Sequence, residues 1–168
     1  MKSEYSTRGF VYKLRCRRAG KTAWEETVGN LIPAAGLAFL AQAPFGAVTA
    51  IGSFHLGLFS ENYIPQDTAV SADLPLVIGE FTGYAETSRP LWDRVYTDGT
   101  HTNVAAPAEM TVTAAGSRTI YGAFVNSSAA KGSNNGLLLS VGRFDNPRPV
   151  ITGDILDLTV YIALVAVG

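Results

Sequence analysis

Apolar and polar positions alternate along several short stretches of the chain, which is the pattern of half-buried β-strands. The stretch 155–165 alternates throughout. Beyond Asp157 its outer face is apolar as well, which predicts a strand covered on both sides. At the other end of the chain, the alternation over residues 9–17 gives one face made of Phe10, Tyr12, Leu14 and Cys16.

Turn-forming residues separate these stretches. The chain has 17 Gly and 8 Pro, most of them between apolar runs, as in a β-rich fold. Arg18-Ala19-Gly20-Lys21 and Asp98-Gly99 predict tight turns. Residues 126–136 predict a polar hairpin loop, and residues 146–149 a stiff connector. Further strands are predicted at 22–28, 54–59, 109–114, 117–125 and 137–144.

One segment has helical spacing instead. Apolar residues recur from Leu31 until Pro44 ends the run, with Asn30 as a candidate cap and Pro33 in the first turn. These residues predict one short α-helix at about residues 31–43. Because this helix is apolar all round, we expect it to pack between a sheet and a neighbouring subunit.

The fold predicted from these elements is mainly β: an antiparallel β-sandwich, like a jelly roll, of about eight to ten strands with one short helix. The 168 residues are enough for a single domain, 1–168. The only cysteine, Cys16, cannot form an internal disulfide and is expected as a buried thiol.

Charge is scarce and uneven. Charged residues make up 16% of the chain and apolar residues 47%, which indicates that partners cover part of the surface. Residues 1–22 hold seven basic residues and one acidic residue, a net charge of +6, whereas the remainder carries −7. This asymmetry indicates that segment 1–22 is a docking arm or a region of self-association, unless it is a solvated strand face.

Catalytic and metal-binding patterns are missing from the sequence. His55 and His101 have no cluster of further ligands around them, so no metal and no cofactor is expected. Neither a G-x-S-x-G elbow nor a phosphate-binding loop occurs, and we expect no enzymatic activity. The acidic remainder of the chain argues against specific nucleic-acid binding.

A membrane role is not expected either. Residues 27–60 contain no Asp, Glu, Lys or Arg, but Pro and Gly interrupt this run too often for a membrane-spanning helix. The N-terminus has no apolar core of the kind found in secretory signals.

Four blocks resemble a small virion protein of tailed bacteriophages, of the kind found beside capsid genes. Together they run along most of the chain and carry structural rather than catalytic motifs. The resemblance implies a virion component without catalytic residues. The blocks are WEETVGNLIPAAGLAFL, HLGLFSENYIPQDT, RTIYGAFVNSS and GRFDNPRPVITGDILDLTVYIAL.

From this resemblance we expect a capsid decoration, or cement, protein. It would be made in the host cytoplasm and would form a dimer or trimer on the capsid surface, at joints between major capsid subunits. The basic residues Lys13, Arg15, Arg17 and Arg18 would meet an acidic shell. Loop 60–68 would lie across a neighbouring subunit, anchored by Tyr63, Ile64 and Pro65, unless it is an ordinary surface loop.

The alternative is a receptor- or carbohydrate-binding module on the tail or a fibre. A sugar platform needs exposed aromatic rings beside polar groups. Tyr63, Tyr84, Trp92 and Tyr96 are the candidates for such a platform, although Trp92 is expected first as a plug at the edge of the core.

Overall fold

Nine β-strands form two antiparallel sheets in residues 9–163, the part of the chain described by the computed structural model. The larger sheet has the order β2-β1-β9-β5-β4, with β6 also paired to β9, and the smaller sheet has the order β3-β7-β8. The predicted mainly β sandwich with one short helix is confirmed. The strands are β1 (Gly9–Arg18), β2 (Lys21–Gly29), β3 (His55–Phe59), β4 (Val95–Thr97), β5 (Thr100–Thr102), β6 (Ala108–Thr111), β7 (Arg118–Asn126), β8 (Leu138–Val150) and β9 (Ile155–Ala163).

Strands β1 and β9 form the centre of the larger sheet. They pair antiparallel, with Leu14 opposite Leu158 and Arg15 opposite Asp157. Their inward residues are fully buried against the smaller sheet, as their alternation predicted. The predicted continuation of β9 to residue 165 lies outside the described residues. Cys16 is buried in this core, where burial, followed by the nearby Asp154, raises the pKa of its thiol to about 12.

The smaller sheet is buried on both faces. On β3, Leu56 and Leu58 point into the core between the sheets, whereas Phe59 packs with Phe124 on the outer face. Residues 60–79, which we call the covering segment, enclose this outer face. Close packing explains Gly57, because a Cβ at this position would overlap the Phe124 ring.

The covering segment contains two short helical turns, a 3₁₀ turn at Ser71–Asp73 and a π turn at Leu74–Ile78. Leu74 and Ile78 point inward, and the backbone amide of Ser60 donates to the carbonyl of Gly79 at 2.9 Å. The two ends of the segment therefore meet beside β3.

The α-helix, α1, spans Ala34–Gln42 and is shorter than the predicted 31–43. Leu31 pairs with Val141 of β8, and the Asn30 side chain accepts from the amide of Phe10 at 2.7 Å instead of capping the helix. A short 3₁₀ turn, Ala43–Phe45, follows α1. Within residues 9–163 the helix packs through one side, with Gly36 against the backbone of Leu139.

Residues 9–22 of the predicted basic segment form β1 and the start of β2 in the larger sheet, and the docking role of the segment stays a prediction. Residues 1–8 of the predicted arm lie outside the described residues. The predicted stiff connector at 146–149 is part of β8, although Pro147 and Pro149 interrupt its backbone donors.

Both predicted tight turns are present. Ala19 and Gly20 join β1 to β2, and Asp98 and Gly99 join β4 to β5. All four residues have positive φ angles, between 49° and 78°. This is the backbone of a two-residue hairpin turn.

Candidate interaction surfaces

The predicted basic stripe, made of Lys13, Arg15 and Arg17, lies on the outer face of β1. Acidic side chains of the same chain neutralise much of its charge. Arg15 and Arg17 both bind Asp157 of β9, with nitrogen–oxygen distances of 2.8 Å. Arg17 also binds Glu109 of β6 at 2.7 Å. These ion pairs join β1 to β9 and β6 within the larger sheet. Contact between the stripe and a capsid remains a prediction.

The remaining two basic residues are paired as well. Arg18 makes a bidentate contact with Asp154, with both distances 2.8 Å. Lys13 lies 3.3 Å from Glu25 on β2. The Arg18–Asp154 pair could not be predicted from the sequence, because these two residues are more than a hundred residues apart along the chain.

The pKa values of Asp154 and Asp157 are shifted from their ordinary values. Hydrogen bonds from Arg18 lower the pKa of Asp154 below its ordinary value, against the opposing effect of burial. Burial raises the pKa of Asp157, but hydrogen bonds from Arg17 and Arg15 outweigh this effect, so its pKa is also lowered. Both carboxylates are thus held in their charged form by these arginines.

The predicted anchor residues of the covering segment have different surroundings. Tyr63 is half-buried and packs edge-on against Phe59, with ring centroids 6.2 Å apart. Pro65 is half-buried too, whereas Ile64 is exposed. Of the three predicted anchors, Ile64 is therefore the most accessible for a partner.

Three exposed apolar residues of the covering segment were missed by sequence reasoning. Val70, Leu76 and Val77 lie on its outward side, and Leu76 is 89% exposed. The signal for Leu76 and Val77 is the run Leu74–Ile78, because a helical turn cannot bury all of its consecutive apolar side chains against one sheet.

The outward side of α1 and its following turn forms a second apolar surface. Phe45 is 86% exposed, and Leu37 is more than half exposed. No Asp, Glu, Lys or Arg occurs in residues 27–60. We call this surface the helix face and define it by its exposed residues Ala34, Ala35, Leu37, Ala38, Ala41 and Phe45.

A cavity of about 440 Å³ opens beside the β4–β5 hairpin. It lies where residues 52–53, 91–94 and the hairpin meet. Trp92 is buried at its base, which confirms that this residue plugs the edge of the core. The residues that line the cavity are Gly52, Ser53, Leu91, Trp92, Asp93, Arg94, Tyr96 and His101.

The four aromatic residues considered for a sugar platform do not form one surface. Tyr84 is buried beside Phe81, and burial raises the pKa of its hydroxyl. Tyr63 packs on the outer face of the smaller sheet. The platform of four rings is therefore wrong, but Trp92 and Tyr96 do share the cavity.

No group of three or more His, Cys, Asp and Glu side chains within residues 9–163 is arranged to hold a metal ion. The helices of this part of the chain are all too short or too polar to cross a membrane.

No protein-family model and no curated protein matches the sequence.

Proposed function

We propose that the protein is a structural component of a tailed-phage virion, which decorates the capsid by binding at joints between major capsid subunits. The observation that carries this proposal is the exposed apolar outward side of the covering segment. An exposed apolar surface of this kind typically marks a contact with another protein. The resemblance of the four sequence blocks to phage virion proteins is the reason for proposing a phage capsid as the partner.

The occupant that we propose for the helix face is a second copy of the same chain. A surface without charged residues does not repel its own copy, and the contact can close symmetrically. The small side chains of Ala34, Ala38 and Ala41 allow close approach of two helices, and Leu37 and Phe45 supply the apolar area that is removed from water.

The capsid contact that we propose is the outward side of the covering segment. Ile64, Val70, Leu76 and Val77 are exposed there on a segment whose inner side is anchored in the core. A dimer or trimer would present several such segments to a symmetric shell, so each contact can be modest.

The test is co-sedimentation of the purified protein with capsids of the source phage that have been stripped of accessory proteins. We expect saturable binding of the unaltered chain and at least tenfold weaker binding after Leu76→Ser and Val77→Ser together. The proposal for this surface predicts that Asn134→Ser, a change in an exposed polar loop, leaves binding unchanged.

Absence of binding by the unaltered chain would overturn the proposed function. Equal binding by the double variant and the unaltered chain would retain capsid decoration but remove the covering segment as the contact.

A further inference from the structure

The cavity beside the β4–β5 hairpin is an open depression whose lining mixes aromatic and polar residues. Its volume of about 440 Å³ falls within the range of about 300–1,000 Å³ that is typical of small-ligand sites. Its lining combines the aromatic rings of Trp92 and Tyr96 with the polar side chains of Ser53, Asp93 and Arg94.

A buried hydrogen-bond donor in the cavity lining has no partner. Trp92 is only 3% exposed, and its Nε1 has no acceptor within residues 9–163. This nitrogen is itself inaccessible, so the indole serves as a reporter of binding rather than as a ligand contact.

Most N–H groups of the Arg94 guanidinium have no acceptor within residues 9–163. Its guanidinium lies over the rings of Trp92 and Phe54, 5.3 and 5.7 Å from their centroids. Within residues 9–163 it forms no ion pair, and its one hydrogen bond is a long contact of 3.4 Å with the carbonyl of Gly52. A guanidinium has five N–H groups, so most of them remain available.

The rim of the cavity offers an exposed aromatic ring. Tyr96 is 62% exposed and lies opposite His101 across the β4–β5 pair, with ring centroids 4.8 Å apart. The short edge strand holds the Tyr96 ring at the entrance, where it can cover an apolar face of a ligand.

We propose that this cavity binds a saccharide. A sugar ring has one apolar face of C–H groups, which fits Tyr96, and a rim of hydroxyl groups that accept and donate. Asp93 can accept from neighbouring hydroxyls, while Arg94 donates to them. A nucleotide carries several negative charges, and the repulsion of these charges by Asp93 offsets their attraction to Arg94.

This site is separate from the helix face and the covering segment, so it does not depend on the proposed capsid role. The test uses the fluorescence of Trp92, which is the only indole left after Trp24→Phe. This variant is titrated with D-galactose, L-rhamnose, N-acetyl-D-glucosamine and N-acetylneuraminic acid, and with ATP as the nucleotide comparison. We expect a saturable change of emission with at least one of the sugars.

Added to Trp24→Phe, Tyr96→Ala should weaken the binding of that sugar by roughly tenfold or more. The matched control is Ile151→Ala, which shortens another exposed apolar side chain that does not line the cavity and should leave the affinity unchanged. Thermal melts of both variants check that each remains folded. The proposal is overturned if no sugar changes the emission, if ATP alone does so, or if folded Tyr96→Ala binds as tightly as the control.

Discussion

Arg89 and Glu80 form a bidentate ion pair in which both side chains are completely buried. The nitrogen–oxygen distances are 2.7 and 2.9 Å, and both side chains are 0% exposed. Arg89 also donates to the carbonyls of Ser128 and Ser133 and lies over the Phe124 ring. A single guanidinium thus joins the segment after the covering segment to the polar loop between β7 and β8.

Replacing Arg89 should destabilise the protein strongly. In Arg89→Met the Glu80 carboxylate stays buried without its partner, which typically costs about 3–5 kcal/mol of unfolding free energy. Urea unfolding followed by circular dichroism measures this loss. The control is Lys13→Met, which breaks the Lys13–Glu25 pair, whose side chains are 43% and 41% exposed. Exposed pairs contribute less than about 1 kcal/mol, so equal losses in the two variants would contradict the assignment.

Gly57 should tolerate no side chain. A Cβ at this position overlaps the Phe124 ring, and overpacking of a dense core costs roughly 1–3 kcal/mol. We expect Gly57→Ala to lower the urea midpoint by a corresponding amount. Gly52→Ala is the matched control, because a Cβ there meets nothing within 4 Å. A Gly57→Ala protein as stable as this control would show that the outer face of β3 is loosely packed.

Stability should fall in acid because of Asp154 and Asp157. Both have pKa values lowered by hydrogen bonds from arginines, so the unfolded chain binds their protons more readily than the folded chain does. Their contribution is complete above the unfolded pKa, near ~3.9, and is lost as the pH falls through the folded values.

Urea unfolding at a series of pH values between neutrality and strong acid measures this loss. Asp157→Asn should be less stable near neutral pH and should show a shallower decline in acid, because one of the two linked groups is gone. An unchanged slope in Asp157→Asn would contradict the role of the Arg15–Asp157–Arg17 cluster.

The parts of the fold that depend on short-range pattern could be predicted from the sequence. The alternation of apolar and polar residues predicts strands β1 and β9, and the turn-forming residues predict both hairpin turns. The boundary of α1 was missed because Leu31 pairs with Val141, a contact with a strand more than a hundred residues away. Local spacing carries no information about such a bridge.

The same limit applies to the interaction surfaces. The basic residues of β1 were visible as a stripe, but their neutralisation by Asp157 and Asp154 depends on the pairing of β1 with β9. Exposure of Leu76 depends on which side of a helical turn faces the smaller sheet. The cavity joins residues from three separate segments, so no single stretch of sequence reveals it.

Salt should distinguish apolar from electrostatic docking on the capsid. If the covering segment makes the contact, binding to stripped capsids should change little as sodium chloride rises, because apolar burial is not screened. Binding that falls steeply with salt, and falls further in Arg15→Ser with Arg17→Ser, would instead establish the basic stripe as the contact.

The most direct test of the account is the mass of the free protein in solution, measured by sedimentation velocity over a range of concentrations. We expect a dimer or trimer for the unaltered chain. We expect at least about 100-fold weaker association for Leu37→Glu with Phe45→Glu, since burial of each apolar side chain contributes about 1.5–3 kcal/mol. An unaltered chain that remains a monomer of 17.8 kDa at every concentration, or a folded double variant that associates equally well, would contradict the helix face as the contact between copies.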